Sequence, residues 1–497
     1  MFESILGTEV CEAKEKNAIF QDFNLDVCIS EINSRVKGYD VSDMFRNMPE
    51  QPETMQYRRN ITGDFLDAAL RTAFSRYSKM MEKAEKCEKS SQYSNHSVQR
   101  EKWHLEALCL YVDAVDELYA KLAGKEKLSE SMQELTAYLD GCRQSEEFRQ
   151  TKELAKEIQD EMETQSVLFT LQKNKVIVEQ EEQEEQEGTT FDERMIKAFG
   201  IPAPSVEKGY KDESSQLSLL ERNIAQKLIK LRGWEKRLHT LMKQSMDLRL
   251  LQLAKDVNYY LGFFALVHDM EDQGYSFCMP AEGERMQLQS GYDAAMAIRS
   301  DSVVIRNDFY INEGEKFFVI TGANGGGKTT FARMIGQILY FHRMGLLVPC
   351  ERAVIPYFEK LLSHFSNEES EISGRGKLVE ELERLQPMMK RENQNSFVIL
   401  NELFTTAATL DAGIMGQKVL SFFMDTNCSG IYVTHIQSLA DERQGVVSMV
   451  AELEKDHHTR SFKITRKPAK EGEYEDSLIT KYHMTYEQMK AVIGHGN

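Results

Sequence analysis

Few residues in this chain break a backbone: nine prolines are spread over 497 residues. That scarcity leaves room for long helices and excludes the proline-rich, low-complexity class. The eight cysteines (11, 28, 87, 109, 142, 278, 350 and 428) include no Cys-x-x-Cys pair. Free thiols in a reducing cytoplasm are therefore expected rather than a disulfide framework. Positive charge is also short, with 61 Lys and Arg against 79 Asp and Glu and a net charge of −18. A surface coated in basic residues is excluded, so any contact with nucleic acid must rest on a local patch. No window approaches 18 uninterrupted apolar residues, and Met1-Phe-Glu-Ser-Ile-Leu-Gly7 has no basic stretch leading into an apolar one. Neither a membrane span nor export is expected; the expected location is cytoplasmic, nucleoid-associated in a prokaryote. The length exceeds what one hydrophobic core supports, so two to four domains are expected.

What is present in the first half is helical periodicity. Phe20 to Ile32 predicts a short helical entry. Ile61, Phe65, Ala69, Ala73, Tyr77 and Met81, spaced by four, predict a helix from Met55 to about Lys89. Trp103, Leu105, Leu108, Tyr111, Val115, Leu118 and Leu122 predict another, and amphipathic helices fit 130–142 and 146–163. Val167 to Val178 has the texture of a small strand pair. It runs into an acidic stretch, Glu179 to Glu187, whose like charges resist burial and predict a solvated tip. From Leu217 to about Met270 the apolar steps alternate between three and four, predicting one very long helix packed along another, a lever. Lys227, Lys230, Arg232, Lys236, Arg237 and Lys243 crowd its middle, as a solvated face or as contacts to phosphates.

After Pro280 the pattern changes to short strands and turns: Met286 to Gln289, Ala297 to Arg299, and Ser302 to Asp308. Strands and helices then alternate, so an α/β domain with a largely parallel sheet is expected. Its first buried strand, Phe317 to Ile320, delivers Gly322-Ala323-Asn324-Gly325-Gly326-Gly327-Lys328-Thr329-Thr330 and then a helix. This is a full phosphate-binding loop. Backbone N–H groups close around an anionic phosphate chain, Lys328 adds a point charge to the outer phosphates, Thr329 offers a hydroxyl to Mg2+, and the helix N-terminus adds its dipole. A second buried run, Phe397 to Leu400, ends in Asn401-Glu402, at the strand end where open α/β sheets place ligands. There Glu402 is suited to orient an attacking water. Asn401 can still bond a Mg2+-bound water but lacks the charge of the usual Asp, so metal affinity should be weaker. A third run, Gly430 to Thr434, ends in His435, a candidate sensor of the terminal phosphate. Ser373-Gly374-Arg375-Gly376 opens an amphipathic helix and forms a second anion-binding turn, usable across a dimer.

Taken together, the phosphate loop, Ser373-Gly-Arg, Asn401-Glu402 and Thr434-His435 resemble the ATPase domain of the MutS family of DNA mismatch-repair proteins. The loop is similar to the family's Thr-Gly-Pro-Asn-Met-Gly-Gly-Lys-Ser-Thr, with Ala323 for Pro, Gly325 for Met and Thr329 for Ser. The resemblance implies a helical core and lever domain at 1–280 with a small clamp-like insertion at about 165–225. An ABC-type phosphate-loop ATPase domain follows at 281–465, and a helical tail at 466–497. It also implies a homodimer holding two ATP and Mg2+. In each site Lys328 and the loop amides bind phosphates, Thr329 and Asn401 hold Mg2+, Glu402 positions water, His435 senses the γ-phosphate, and Ser373 to Gly376 act on the other copy's nucleotide. Closure would move lever helices that grip mismatched, branched or distorted DNA. The family's mismatch-reading domain, with its Phe-x-Glu wedge, and the small MutS-related nuclease domain are both expected to be missing. The rival expectation is an ATP-gated protein-interaction switch, or a weak pseudo-ATPase, without DNA binding. The acidic balance and Asn401 lean toward it.

Overall fold

The computed structural model describes residues 2–7, 18–163, 167–172, 175–180, 225–226, 229–230, 233–300, 302–366, 376–441, 443–453 and 460–469. The chain divides into two compact units. The first comprises Thr72–Glu126 and Glu134–Ala254; the second comprises Phe2–Arg71, Lys127–Gln133 and Lys255–Asn497.

The first unit is helical. Helix Ser97–Ala123 buries Trp103, Leu105, Leu108, Tyr111, Val115, Leu118 and Leu122, the stripe that its periodicity predicts. Helix Glu146–Glu163 packs against it, with the rings of Tyr111 and Phe148 edge to face at 5.8 Å. Beyond it, β1 (Val167–Gln172) and β2 (Lys175–Gln180) pair antiparallel, the expected strand pair. The acidic stretch from 181 onward and most of the proposed insertion lie outside the described residues.

Two helical expectations need correction. The run from Leu217 to Met270 is not one helix. Near Lys230 a helical segment closes with Trp234 N–H bonded to the Ile229 carbonyl and Gly233 N–H to that of Lys230. Gly233 takes φ +66°, the left-handed stop that favours glycine. A short helix, Glu235–Leu241, follows, and a new one begins at Leu248–Asp272. Asp247 caps that new start, its Oδ1 accepting from Arg249 N–H at 2.7 Å while its Oδ2 accepts from the Tyr138 hydroxyl at 2.6 Å. Likewise the predicted helix from Met55 to Lys89 is two, Pro52–Asp64 and Ala68–Tyr93. The second restarts where the Asp67 side chain accepts from Ala69 N–H at 2.8 Å.

The second unit carries the α/β domain. Its main sheet has six strands in the order β12-β11-β6-β10-β9-β8. These are β6 (Phe317–Thr321), β8 (Leu361–Phe365), β9 (Phe397–Asn401), β10 (Ser429–Val433), β11 (Val446–Leu453) and β12 (Arg460–Arg466). All neighbours run parallel except β12, which returns antiparallel along β11. Every residue of β6 and β9 is buried, which explains why they read as unbroken apolar runs rather than alternating ones. A smaller sheet, in the order β3-β7-β4-β5, joins Ala281–Glu282, Arg352–Ile355, Gln287–Gly291 and Asn307–Tyr310. Between β4 and β5 the expected strand at Ala297 is instead a helix, Ala294–Arg299, because Asp293 caps it by accepting from Met296 N–H at 3.0 Å. Among the described residues the cysteines are free thiols, and no helix is long and apolar enough to cross a membrane.

Candidate functional site

Parallel register aligns three strand ends. Ile320 of β6 sits opposite Val433 of β10, and Val433 opposite Asn401 of β9. The residues that follow each strand therefore emerge along one edge of the sheet: the glycine-rich loop 322–327 after β6, Glu402 after β9, and Thr434-His435 after β10. The helix Lys328–Arg343 starts at that edge, with Gly327 in its cap position at φ +91°. The orphan N–H groups of its first turn and the positive end of its dipole point to where a phosphate chain would lie.

Lys328 is only 3% exposed, and its Nζ donates to the carbonyls of Gly322 at 2.8 Å and Ala323 at 3.0 Å. Burial lowers its pKa; Glu402 opposes that shift and Arg460 adds to it. Thr329 Oγ1 donates to Asn401 Oδ1 at 3.1 Å, and Asn401 is 6% exposed. Glu402 and Phe404 both adopt left-handed backbone, at φ +55° and +62°, a costly conformation for non-glycine residues that clusters at functional sites. Glu402 N–H bonds the Val433 carbonyl at 2.9 Å, which ties that bend to β10. Its carboxylate faces His435, with Nε2 and Oε1 3.0 Å apart. The hydrogen bond from His435 is the main reason that the Glu402 carboxyl lies below its ordinary value, with the charges of His435 and Lys328 adding to it.

A cavity of about 580 Å3 opens beside these groups. Asn324, Gly325, Gly327, Lys328, Thr329, Thr330 and Glu402 line one part of it. The rest is a wall that sequence reasoning did not identify: Met296 and Val303 to Ile305 on one side, Arg460, Ser461 and Phe462 on the other. Val303 is 76% exposed, an unusual position for a valine in a run resembling a buried strand. Phe462 holds φ +57° and is 44% exposed. Asn307 joins the two sides, donating to the Phe462 carbonyl at 3.1 Å and accepting from Ile464 N–H at 2.9 Å. A polar, amide-rich end and an apolar end in one cavity of this size suit a nucleotide.

Of the other sequence-predicted residues, Gly326 closes the loop by donating to the Ala323 carbonyl at 3.1 Å. Gly376 is exposed at the N-terminus of helix Lys377–Leu385, and Ser373, Gly374 and Arg375 lie outside the described residues. Lys230 and Lys236 are exposed, whereas Lys227 and Arg232 lie outside the described residues. Arg237 is engaged within its own unit, with both terminal nitrogens 2.7 Å from the Glu161 carboxylate.

Residues 318–479 match the family model for MutS domain V. The chain is similar to the DNA mismatch repair protein MutS of Thermotoga sp. (strain RQ2), 24% identical over 208 residues, which cover 42% of this chain and 25% of that protein. It is also similar to the Endonuclease MutS2 of Thermus thermophilus, 25% identical across 49% of this chain and 30% of the relative. The DNA mismatch repair protein MSH2 of Saccharomyces cerevisiae is 28% identical across 33% of this chain and 17% of the relative. Each match thus spans less than a third of the relative's own length. The likeness to MutS proteins is thus carried by residues 318–479, which match MutS domain V.

Proposed function

We propose that this chain binds and hydrolyses ATP with Mg2+ and, as a homodimer, couples nucleotide state to binding of mismatched, branched or otherwise distorted DNA. The observation that carries the nucleotide part is the convergence of Lys328, Thr329, Asn401 and Glu402 at one sheet edge beside a cavity of about 580 Å3. In this reading the loop amides and Lys328 hold the phosphates, and the wall from Val303 to Ile305 with Phe462 takes the base.

The residues present fit a Mg2+ ion. Thr329 Oγ1 and Asn401 Oδ1 are 3.1 Å apart, so the hydroxyl would hold the cation and the amide oxygen would accept from a water bound to it. When bound there, the cation neutralises charge between the outer phosphates. In this reading Glu402, held as a carboxylate, orients the attacking water, and His435, 3.0 Å from it, fixes that carboxylate and senses the terminal phosphate. Ser373 to Gly376 of the second copy would cover the nucleotide. The DNA part rests on the DNA mismatch repair function named for the MutS relatives, with Lys227, Lys230, Arg232 and Lys236 as candidate phosphate contacts. Arg237 contributes less, because Glu161 already pairs with it.

The test is ATP hydrolysis with and without a panel of perfect, mismatched and branched duplexes, on the wild type, Lys328→Ala and Glu402→Gln, with oligomeric state followed by light scattering. Lys328→Ala is expected to lose nucleotide binding and Glu402→Gln to retain nucleotide in a stable dimer. Unchanged turnover in both variants overturns the ATPase assignment. Absence of any DNA binding at low salt, with nucleotide binding intact, would leave an ATP-gated protein-interaction switch. The neutral Asn401 at the metal position favours slow turnover in either case.

A further inference from the structure

Arg460 stands at the start of β12, paired in register with Leu453 of β11, and lines the same cavity as Lys328, Thr329 and Glu402. Its guanidinium packs against the phosphate loop itself. A Cβ built on Gly325 would lie 2.6 Å from Arg460 Nη1, 3.0 Å from Cζ and 3.3 Å from Nη2. A side chain at 325 would therefore force the guanidinium to shift. The glycine at 325 and the arginine arriving from β12 are thus complementary in space. We propose that Arg460 is a phosphate-contacting residue of this site, contributed in cis from β12 to the nucleotide held by Lys328 and the loop amides.

Electrostatics support the geometry. A guanidinium and an ammonium in one cavity repel each other, and Arg460 is among the groups that disfavour the charged form of Lys328. A polyphosphate between them converts that repulsion into two attractions. Among the described residues, the carboxylates lining the cavity are Glu402, which is bonded to His435, and Asp293, whose Oδ1 accepts from Gln337 and Met296 N–H. Arginine suits the role because its planar fork meets two phosphate oxygens at once.

This inference rests on the nucleotide reading above, and the experiment separates the two. Binding of MgATP and MgADP to the full chain is measured by calorimetry at low and high salt for the wild type, Arg460→Ala and Arg460→Lys. Absence of nucleotide binding by the wild type overturns the nucleotide reading and this inference with it. Given wild-type binding, Arg460→Ala is expected to weaken both nucleotides about tenfold or more, the size of a charge-assisted hydrogen bond, and to flatten the salt dependence. Arg460→Lys is expected to recover part of the affinity and most of the salt dependence. Affinity within twofold of the wild type in Arg460→Ala, or a loss that Arg460→Lys does not recover at all while keeping the wild-type salt dependence, overturns the assignment of Arg460 and leaves the nucleotide site standing. Melting temperatures without nucleotide identify a variant that fails to fold; if Arg460→Ala does so, the Arg460→Lys affinity and salt dependence decide.

Discussion

The metal position is the most direct place to perturb the proposed mechanism. Asn401→Asp adds one negative charge at a side chain 6% exposed, 3.1 Å from the Thr329 hydroxyl. At about 4 Å and an effective dielectric of about 20, a carboxylate and a divalent cation attract by about 8 kcal/mol before solvation is counted. Removing that carboxylate from water costs several kcal/mol, and nearby Glu402 repels it. A net gain of about 1.4–2.8 kcal/mol is a reasonable residue, so the Mg2+ concentration for half-maximal nucleotide binding should fall tenfold to hundredfold. The same charge carries an opposite penalty without the cation. The Thr329 hydroxyl alone is a poor match for a buried carboxylate, so the metal-free variant should melt at a lower temperature and regain stability when Mg2+ is added. The assay is a Mg2+ titration of ATP binding and hydrolysis, paired with thermal melts with and without Mg2+. If the wild type shows Mg2+-dependent binding and the variant's half-saturation stays within twofold, with no Mg2+-dependent recovery in melting, the cation is not held by Thr329 and Asn401.

Three further outcomes can be checked independently. Glu402→Gln keeps the shape of the side chain but loses its charge, so single-turnover hydrolysis should slow by about 100-fold or more while ATP affinity changes little; an equal loss in affinity would mean that Glu402 binds rather than activates. The Glu402 carboxyl lies below its ordinary value of 4.5, chiefly through the hydrogen bond with His435. The stabilising carboxylate is therefore fully present above 4.5 and is lost as pH falls through the lower folded value, and His435→Ala should move the acid limb of the pH–rate profile upward; an unmoved limb would mean that the pairing does not set Glu402's charge. Gly336, in the helix that follows the phosphate loop, lies so close to Phe23 that an added Cβ would sit 2.6 Å from two ring carbons. Gly336→Ala should cost about 1–3 kcal/mol in chemical denaturation, and a neutral result would show that the ring can move aside.

The parts of the site that were legible in the sequence share one property: each is written in a continuous stretch of chain. Phe317 to Ile320, Phe397 to Asn401 and Gly430 to Val433 are buried on both faces, so their apolar runs announce core strands. The groups at their ends are then fixed by parallel register alone. Even the helix breaks were available locally. Gly233 is the residue that ends helices in left-handed backbone, and Asp247 and Asp293 stand where caps belong; a three-and-four apolar rhythm outweighed them because rhythm carries across a loop as readily as along a helix. At Ala294–Arg299 a strand was expected where a single turn capped by Asp293 sufficed.

The cavity wall had no such local signature. Val303 to Ile305 and Phe462 meet only because Asn307 bonds across a separation of 155 residues to the strand that returns antiparallel along β11. Nothing in either segment alone distinguishes an exposed valine beside this cavity from a buried one in a strand. The same holds for Arg460, whose significance appears only once it lies against Gly325. A glycine at 325 reads in sequence as one more flexible loop position; in space it is the vacancy that admits a guanidinium. Where one residue's absence of a side chain is matched by another's presence more than a hundred positions away, the information lies in the contact, and a motif drawn from contiguous sequence has no means of recording it.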